Sequence, residues 1–288
     1  MLPSGSEDRA LQFEAMRPRL FGIAYRMLQT REDAEEVVQD AWIRLSGAGS
    51  VESVEGFLLR VTTRLCLDRE KSARRRRETY VGPWLADLVD TSHTPEEEAE
   101  HLESLNLGLL HVLLTLPPLE RAVFLLREAF DYPYDRIAEI VGRRPDACRQ
   151  IARRARGHIR EERMASPVDH EVHQRLLVAF LSAAQEGDVD RLEQLLAEDV
   201  VLISDGGGKA IAARRPILGP SNVTRFLVGI AGKVPSGTTI GFRQINGAPA
   251  VEVRIEGEVS AIFTLQEVDG LIRRVFVVRN PEKLAALS

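Results

Sequence analysis

YDRIAEIVGRRPDACRQIARRARGHIR, Tyr134 to Arg160, reads as a helix, a glycine turn and a second, arginine-bearing helix. Ala138 is small where two helices must cross closely. Gly142, four residues on, suits a tight turn, because a left-handed backbone there meets no Cβ clash. Pro145 fits the first turn of the next helix, where the missing N–H has no intrahelical partner to lose. Along that helix Cys148, Ile151, Ala152, Ala155 and Ile159 recur at helical spacing as a buried stripe, and Arg149, Arg153, Arg156 and Arg160 share a different face. An ordinary helical hairpin with solvated arginines has the same outline. The small residue, the turn glycine and the arginine face together favour a helix-turn-helix, whose second helix is shaped for the major groove of duplex DNA.

The chain around this stretch has 288 residues, room for two or three domains, and its 44% hydrophobic content is enough to bury real cores. No apolar run approaches the roughly 20 residues that span a bilayer. The start, MLPSGSEDRALQFEAM, lacks a basic-then-apolar signal, so a cytoplasmic location without a membrane partner is expected. Cys66 and Cys148 lie far apart without paired spacing, so neither a metal site nor a disulfide framework is implied, and no cofactor is expected. The formal net charge of -5 is unusual for a nucleic-acid binder, but the charge is segregated along the chain. Arg60, Arg64, Arg69, Lys71, Arg74, Arg75, Arg76 and Arg77 crowd one segment, whereas Asp87 to Glu103 contains seven acids and no Lys or Arg. Phosphate binding responds to the local field, so two basic patches parted by an acidic tether remain compatible with DNA.

Phe13 to Tyr80 reads as all helix. Phe21, Ala24, Tyr25 and Leu28 give one apolar face, and Thr30 caps a following helix with Asp33 as the capping-box-like acid. In that second helix Ala34, Val37, Val38, Ala41 and Leu45 form a buried stripe, while Asp33, Glu36 and Asp40 form an acidic edge. A polar loop from Ser46 to Gly56 precedes a third helix beginning at Phe57, with Arg60, Arg64 and Lys71 on one face. Trp84, Leu85 and Leu88 are apolar residues able to dock within the linker, and a second helical unit runs from about Glu97 to Arg163. Beyond Pro167 the texture changes. Helical patterns at Glu171–Glu186, Val189–Ala197 and Ser221–Ile230 accompany strands VVLISD, TTIGFRQIN, AVEVRIEG, EVSAIFTLQEV and LIRRVFVVR. This is an α+β domain with helices on one face of a mixed, mostly antiparallel sheet.

The ordered motifs DAEEVVQDAWIRL, TTRLCLDREKSARRRRETYVGPWL and LPPLERAVFLLREAFDYPYDRIAEIVGRRPDACRQIARRARGHI resemble those of extracytoplasmic-function sigma factors, RNA polymerase subunits that recognise promoters. The last third resembles the SnoaL-like, NTF2-type cone fused to one sigma group, with DGGGK (Asp205–Lys209) and NPEKL (Asn280–Leu284) matching two of its short signatures. WLADL (Trp84–Leu88) departs from the usual WLPEP linker motif. The resemblance implies region 2 at residues 1–80, an acidic linker at 81–104, region 4 at 105–165 and a regulatory SnoaL-like domain at 168–288. It implies that Asp33, Glu36, Val37 and Asp40 meet the β′ clamp of core polymerase, with the β flap as a further contact. It makes Arg60, Arg64, Lys71, Arg74 and Arg75 minus-ten DNA contacts, and Arg143, Arg144, Arg149, Gln150 and Arg153 minus-thirty-five contacts. Arg149 and Arg153 suit base edges, because a guanidinium pairs bidentately with guanine.

Relatives of the cone fold carry out acid–base chemistry, but after His173 the chain holds no His, Tyr, Cys or Trp. Asp205 remains a lone candidate base, and Asp followed by three glycines reads more simply as a turn in which Asp205 bonds nearby amides. A non-catalytic domain that regulates in cis is therefore expected, acting through Trp84, Asp205, Gly206, Gly207, Gly208, Lys209, Asn280, Pro281, Glu282, Lys283 and Leu284, with a small apolar ligand as a further partner. A free-standing helix-turn-helix regulator with a ligand-sensing domain is the alternative.

Overall fold

A computed structural model describes residues 6–92, 106–161 and 170–287. Among them, residues 6–78 and 110–161 belong to one compact unit, and 79–92, 106–109 and 170–287 to a second. The stretch from Glu96 to Glu103 and the boundary at Pro167 lie outside the described residues.

The first unit is helical. α1 (Ser6–Leu28), α2 (Arg31–Ser46) and α3 (Val54–Glu78) pack through the stripe anticipated on α2, in which Ala34, Val37, Val38, Ala41 and Leu45 are all buried. Thr30 caps α2, its side chain accepting the Asp33 N–H at 3.4 Å. α3 begins three residues before Phe57, because the Ser53 hydroxyl accepts the Gly56 N–H at 3.2 Å and so starts the helix earlier. α4 (Leu107–Leu113), which belongs to this unit from Leu110 onward, is followed by α5 (Pro118–Phe124), which runs into a single π turn at Leu125–Ala129. α6 (Tyr134–Val141) and α7 (Pro145–Glu161) complete the unit.

One arginine ties the two helical groups of this unit together. Arg121 on α5 is 2% exposed. It donates to the carbonyls of Leu113 at 2.8 Å, Met27 at 2.5 Å and Leu116 at 3.2 Å, and to the Glu70 carboxylate on α3 at 3.1 Å. Burial pulls its guanidinium below the ordinary value, and Glu70 opposes that shift. Glu70, one of three acids in the basic stretch from Arg60 to Glu78, also accepts from Arg77 at 2.5 Å. A buried cation without these partners would cost several kcal/mol, so the network specifies the register of α5 against α1 and α3.

The second unit is a cone. α8 (His170–Glu186) and α9 (Val189–Leu195) precede β1 (Leu196–Asp205). The short β2 (Ile217–Leu218) leads into α10 (Pro220–Ala231). β3 (Thr239–Ile245), β4 (Ala248–Ile255), β5 (Glu258–Val268) and β6 (Leu271–Val278) are consecutive hairpin-linked strands, and α11 (Pro281–Leu284) follows. The sheet order is β2-β1-β6-β5-β4-β3, with β1 parallel to β6 and the other pairs antiparallel. Leu177 and Phe180 of α8, Leu192 of α9, and Val223 and Leu227 of α10 pack on Leu202, Val251, Val275 and Val277 of the sheet. Sequence patterning located the five long strands but missed β2, whose two residues are too few to show alternation.

The described part of the linker, up to Ser92, does not hang free. Within the second unit the Asn246 N–H donates to the Val89 carbonyl at 2.8 Å and the Thr91 N–H to the Gln244 carbonyl at 2.9 Å, with Asp90 bridged antiparallel to Ile245. Leu85, Ala86 and Leu88 are buried. As far as Ser92 the segment expected to be a tether is a strap along the β3–β4 corner.

Candidate functional site

Asp205, at the end of β1, is wholly buried and surrounded by donors. Its Oδ1 accepts the Tyr80 hydroxyl at 2.5 Å and the Gly207 N–H at 3.1 Å. Its Oδ2 accepts the Leu85 N–H at 3.0 Å and the Lys283 ammonium at 2.9 Å. Lys283 also donates to the Leu85 carbonyl, and its Nζ lies 3.7 Å from the centre of the Trp84 ring and 5.4 Å from that of Tyr80. The two rings meet edge-on at 4.7 Å. A cation in such an aromatic cage, paired with a carboxylate away from water, is held strongly because little solvent screens it.

Tyr80 receives a second bond, from the Asn280 amide at 2.8 Å, so it donates to Asp205 and accepts from Asn280. Desolvation, reinforced by the Asp205 carboxylate, pushes the phenol upward and keeps it a donor. Asn280 caps α11, its side chain accepting the Glu282 N–H at 3.1 Å, and this turns Lys283 inward. Glu282 faces outward and pairs with Lys209 at 2.5 Å. Gly207 lies against Asn280: a Cβ there would fall 2.5 Å from the Asn280 amide nitrogen, and its φ of 61° disfavours any side chain. DGGGK, NPEKL and Trp84 therefore converge on one place. Asp205 does make the turn bond expected of it, but most of its bonds go to the linker and to Lys283.

Tyr80 and Asn246 carry roles that sequence reading missed. Tyr80 stood at the end of a basic helix with nothing to mark a partner 125 positions away. Asn246 is the last residue of the expected strand TTIGFRQIN, but the strand ends at Ile245 and Asn246 is a hairpin-turn residue at φ 53°. Its side chain also accepts the Val89 N–H at 3.1 Å and donates to the Asp87 carbonyl at 3.4 Å.

In the helical unit, Gly142 takes φ 66° and closes α6, and the Arg143 N–H bonds the Ala138 carbonyl at 3.0 Å. Ile137, Ala138, Ile140, Cys148, Ile151, Ala152, Ala155 and Ile159 are buried, so the predicted stripe is the packed face of the motif. Arg143, Arg144, Arg149, Gln150 and Arg153 are all exposed. Arg149 is paired locally with Asp146 at 2.5 Å, whereas Arg153 has no ion pair among the described residues. Arg156 is turned inward to Glu128 at 2.6 Å and to the Tyr134 hydroxyl at 3.1 Å.

On α3, Arg60, Arg64 and Lys71 are exposed without an ion pair among the described residues; Arg75 is also exposed, and Arg74 pairs with Glu78 at 2.8 Å. The acidic edge of α2 is met by the same helix. Arg69 bonds Asp40 at 2.8 Å and lies 3.4 Å from Glu36, and Arg76 pairs with Asp33. Val37 corrects the expectation for that edge. It is fully buried in the three-helix core, because it sits one residue past Glu36 on the inward side of the helix, and it presents no surface to a partner.

Family models for Sigma-70 region 2 and Sigma-70, region 4 match residues 12–77 and 107–159, which span α1–α3 and α4–α7 respectively. The chain is 31% identical to the ECF RNA polymerase sigma factor SigJ of Mycobacterium tuberculosis, over 94% of this chain and 92% of that one. It belongs to the ECF sigma factors. A probable ECF sigma factor SigI of the same organism is 32% identical over 96% of this chain and 94% of its own length. The crystal structure of Mycobacterium tuberculosis SigJ superposes with a TM-score of 0.77 at 28% identity, covering 96% of this chain and 98% of that chain. The architecture of this ECF sigma factor is thus two helical sigma regions followed by an α+β domain with a six-stranded sheet. Among its described residues, no helix is long and apolar enough to cross a membrane.

Proposed function

We propose that this chain initiates transcription as a sigma subunit and that its cone controls it in cis through the Asp205–Lys283 latch. Asp33, Glu36 and Asp40 meet the β′ clamp of core polymerase, with region 4 against the β flap. Arg60, Arg64, Lys71, Arg74 and Arg75 hold the minus-ten strand, largely as phosphate contacts that position rather than specify. Arg143 and Arg144 hold phosphates at the start of α7, and Arg149, Gln150 and Arg153 reach minus-thirty-five bases. Breaking the Asp146 pair to free Arg149 costs little, since an exposed i,i+3 pair is worth about 0–1 kcal/mol.

The observation that carries the regulatory part is the buried Asp205–Lys283 pair of the cone, both members of which hydrogen-bond Leu85 of the linker that follows region 2. A linker held by the cone has restricted reach, and the reach of a linker sets which promoter spacings two DNA-binding regions can bridge. Asp205 has its oxygens committed to four donors, which favours a structural carboxylate over a proton-abstracting one. Run-off transcription with reconstituted polymerase tests the reading. Deleting residues 280–288 should change promoter-dependent output, and deleting everything after Ser166 should leave polymerase binding intact. Tight operator binding without core polymerase in a gel shift would overturn the sigma assignment in favour of a free-standing regulator.

A further inference from the structure

A cleft of about 350 Å³ opens beside the latch, walled by Val81 and Gly82 of the linker, Gly206, Gly208 and Lys209 of the glycine turn, and Arg214 from the loop before β2. Two of its lining side chains are cationic and none is acidic. We propose that this cleft binds a small organic anion, a carboxylate or phosphate carried on a short apolar body. The volume lies at the lower end of ligand pockets, roughly 300–1,000 Å³. Arg214 is exposed and has no ion pair among the described residues. Among the described residues the Lys209 ammonium pairs only with Glu282, and both side chains are more than half exposed, at 52% and 68%. Such a pair is worth about 0–1 kcal/mol, so an incoming anion can replace Glu282 on the ammonium.

The rest of the wall suits the apolar body. Val81 approaches so closely that a Cβ on Gly208 would lie 3.0 Å from it, and Ile211 is 90% exposed where an open cleft leaves it uncovered. The loop is anchored rather than loose, since Arg279 donates to the Ile211 carbonyl at 2.7 Å. A ligand touching Val81 and Gly206 together spans the linker and the residue next to Asp205. Its effect on transcription rests on the latch reading; its binding does not.

Calorimetric titration of the full-length protein at constant ionic strength, with butyl phosphate, pentanoate and neutral pentanol, tests the site. At least one anion should bind saturably at one per chain while pentanol does not, and the preferred anion identifies phosphate or carboxylate chemistry. Lys209→Gln combined with Arg214→Gln should weaken binding at least tenfold, whereas Lys233→Gln, exposed and away from the cleft, should not. Arg214→Gln alone covers the case in which loss of the Lys209–Glu282 pair disturbs the loop. No saturation by either anion, equal binding of pentanol, or undiminished binding by both arginine variants would overturn the proposal. Failure here leaves the latch untouched; the latch fails separately, if Lys283→Met leaves transcription unchanged.

Discussion

Lys283→Met is the sharpest test of the latch, because methionine keeps an unbranched apolar stem of similar reach while deleting the charge and the N–H donors to Asp205 and Leu85. In the folded protein the Lys283 and Asp205 side chains are 5% and 0% exposed, with Nζ 2.9 Å from the carboxylate. Removing one member of a buried pair costs about 3–5 kcal/mol, most of it from the charge left without its counter-ion. Loss of the contact over Trp84 adds about 0.5–2 kcal/mol. Three other donors stay on Asp205, from Tyr80, Leu85 and Gly207, and they soften the loss. A cost near 3 kcal/mol follows, on the order of a hundredfold in the equilibrium between docked and released linker. Hydrogen exchange reads it directly, because the Leu85 and Val89 amides donate to Asp205 and Asn246 only while the strap is docked. Exchange at both should quicken about a hundredfold, with interior β5–β6 amides nearly unchanged. The double variant Asp205→Asn with Lys283→Met removes both charges and should recover part of the loss at Val89, but not at Leu85, whose N–H would face the amide NH2 in place of Oδ2. Acceleration below about tenfold, or equal acceleration across the whole sheet, would refute the reasoning.

Asn246→Gly should preserve the turn, since glycine tolerates the φ of 53°, yet delete the clasp on Asp87 and Val89; exchange at Val89 should reflect a loss of about 1–3 kcal/mol. Arg153→Ala should cost about 1–3 kcal/mol of promoter affinity and relax preference at one minus-thirty-five base, whereas Arg144→Ala should weaken all sequences alike; competition binding with substituted promoters separates the two. Cys66 and Cys148 are both buried, and desolvation pushes both thiols upward, so neither should react with a maleimide at neutral pH until urea unfolds the chain. Rapid labelling of the native protein would contradict that burial.

Local pattern was enough for much of the fold. Gly142 and the stripe from Cys148 to Ile159 marked the helix-turn-helix because helical periodicity and a left-handed turn are written within a few residues. Thr30 and Asp33 announced the start of α2 for the same reason, and alternation marked β3 to β6. Val37 shows the limit at the scale of one residue: it lies beside an acidic edge in sequence but faces the core, since neighbours on a helix point about 100° apart.

The sequence by itself determined the helices, the strands, the arginine face and the segregation of charge, all of which depend on residues close along the chain. Only the tertiary structure decided which partners buried charges take. Glu70 reads as one acid among bases until Arg121, 51 positions later, closes on it. Asp205 reads as a turn residue until Tyr80 and Lys283, 125 positions before it and 78 after, meet there. A buried charge must find a counter-charge or donors wherever the fold brings them, and no periodicity records a pairing over that separation.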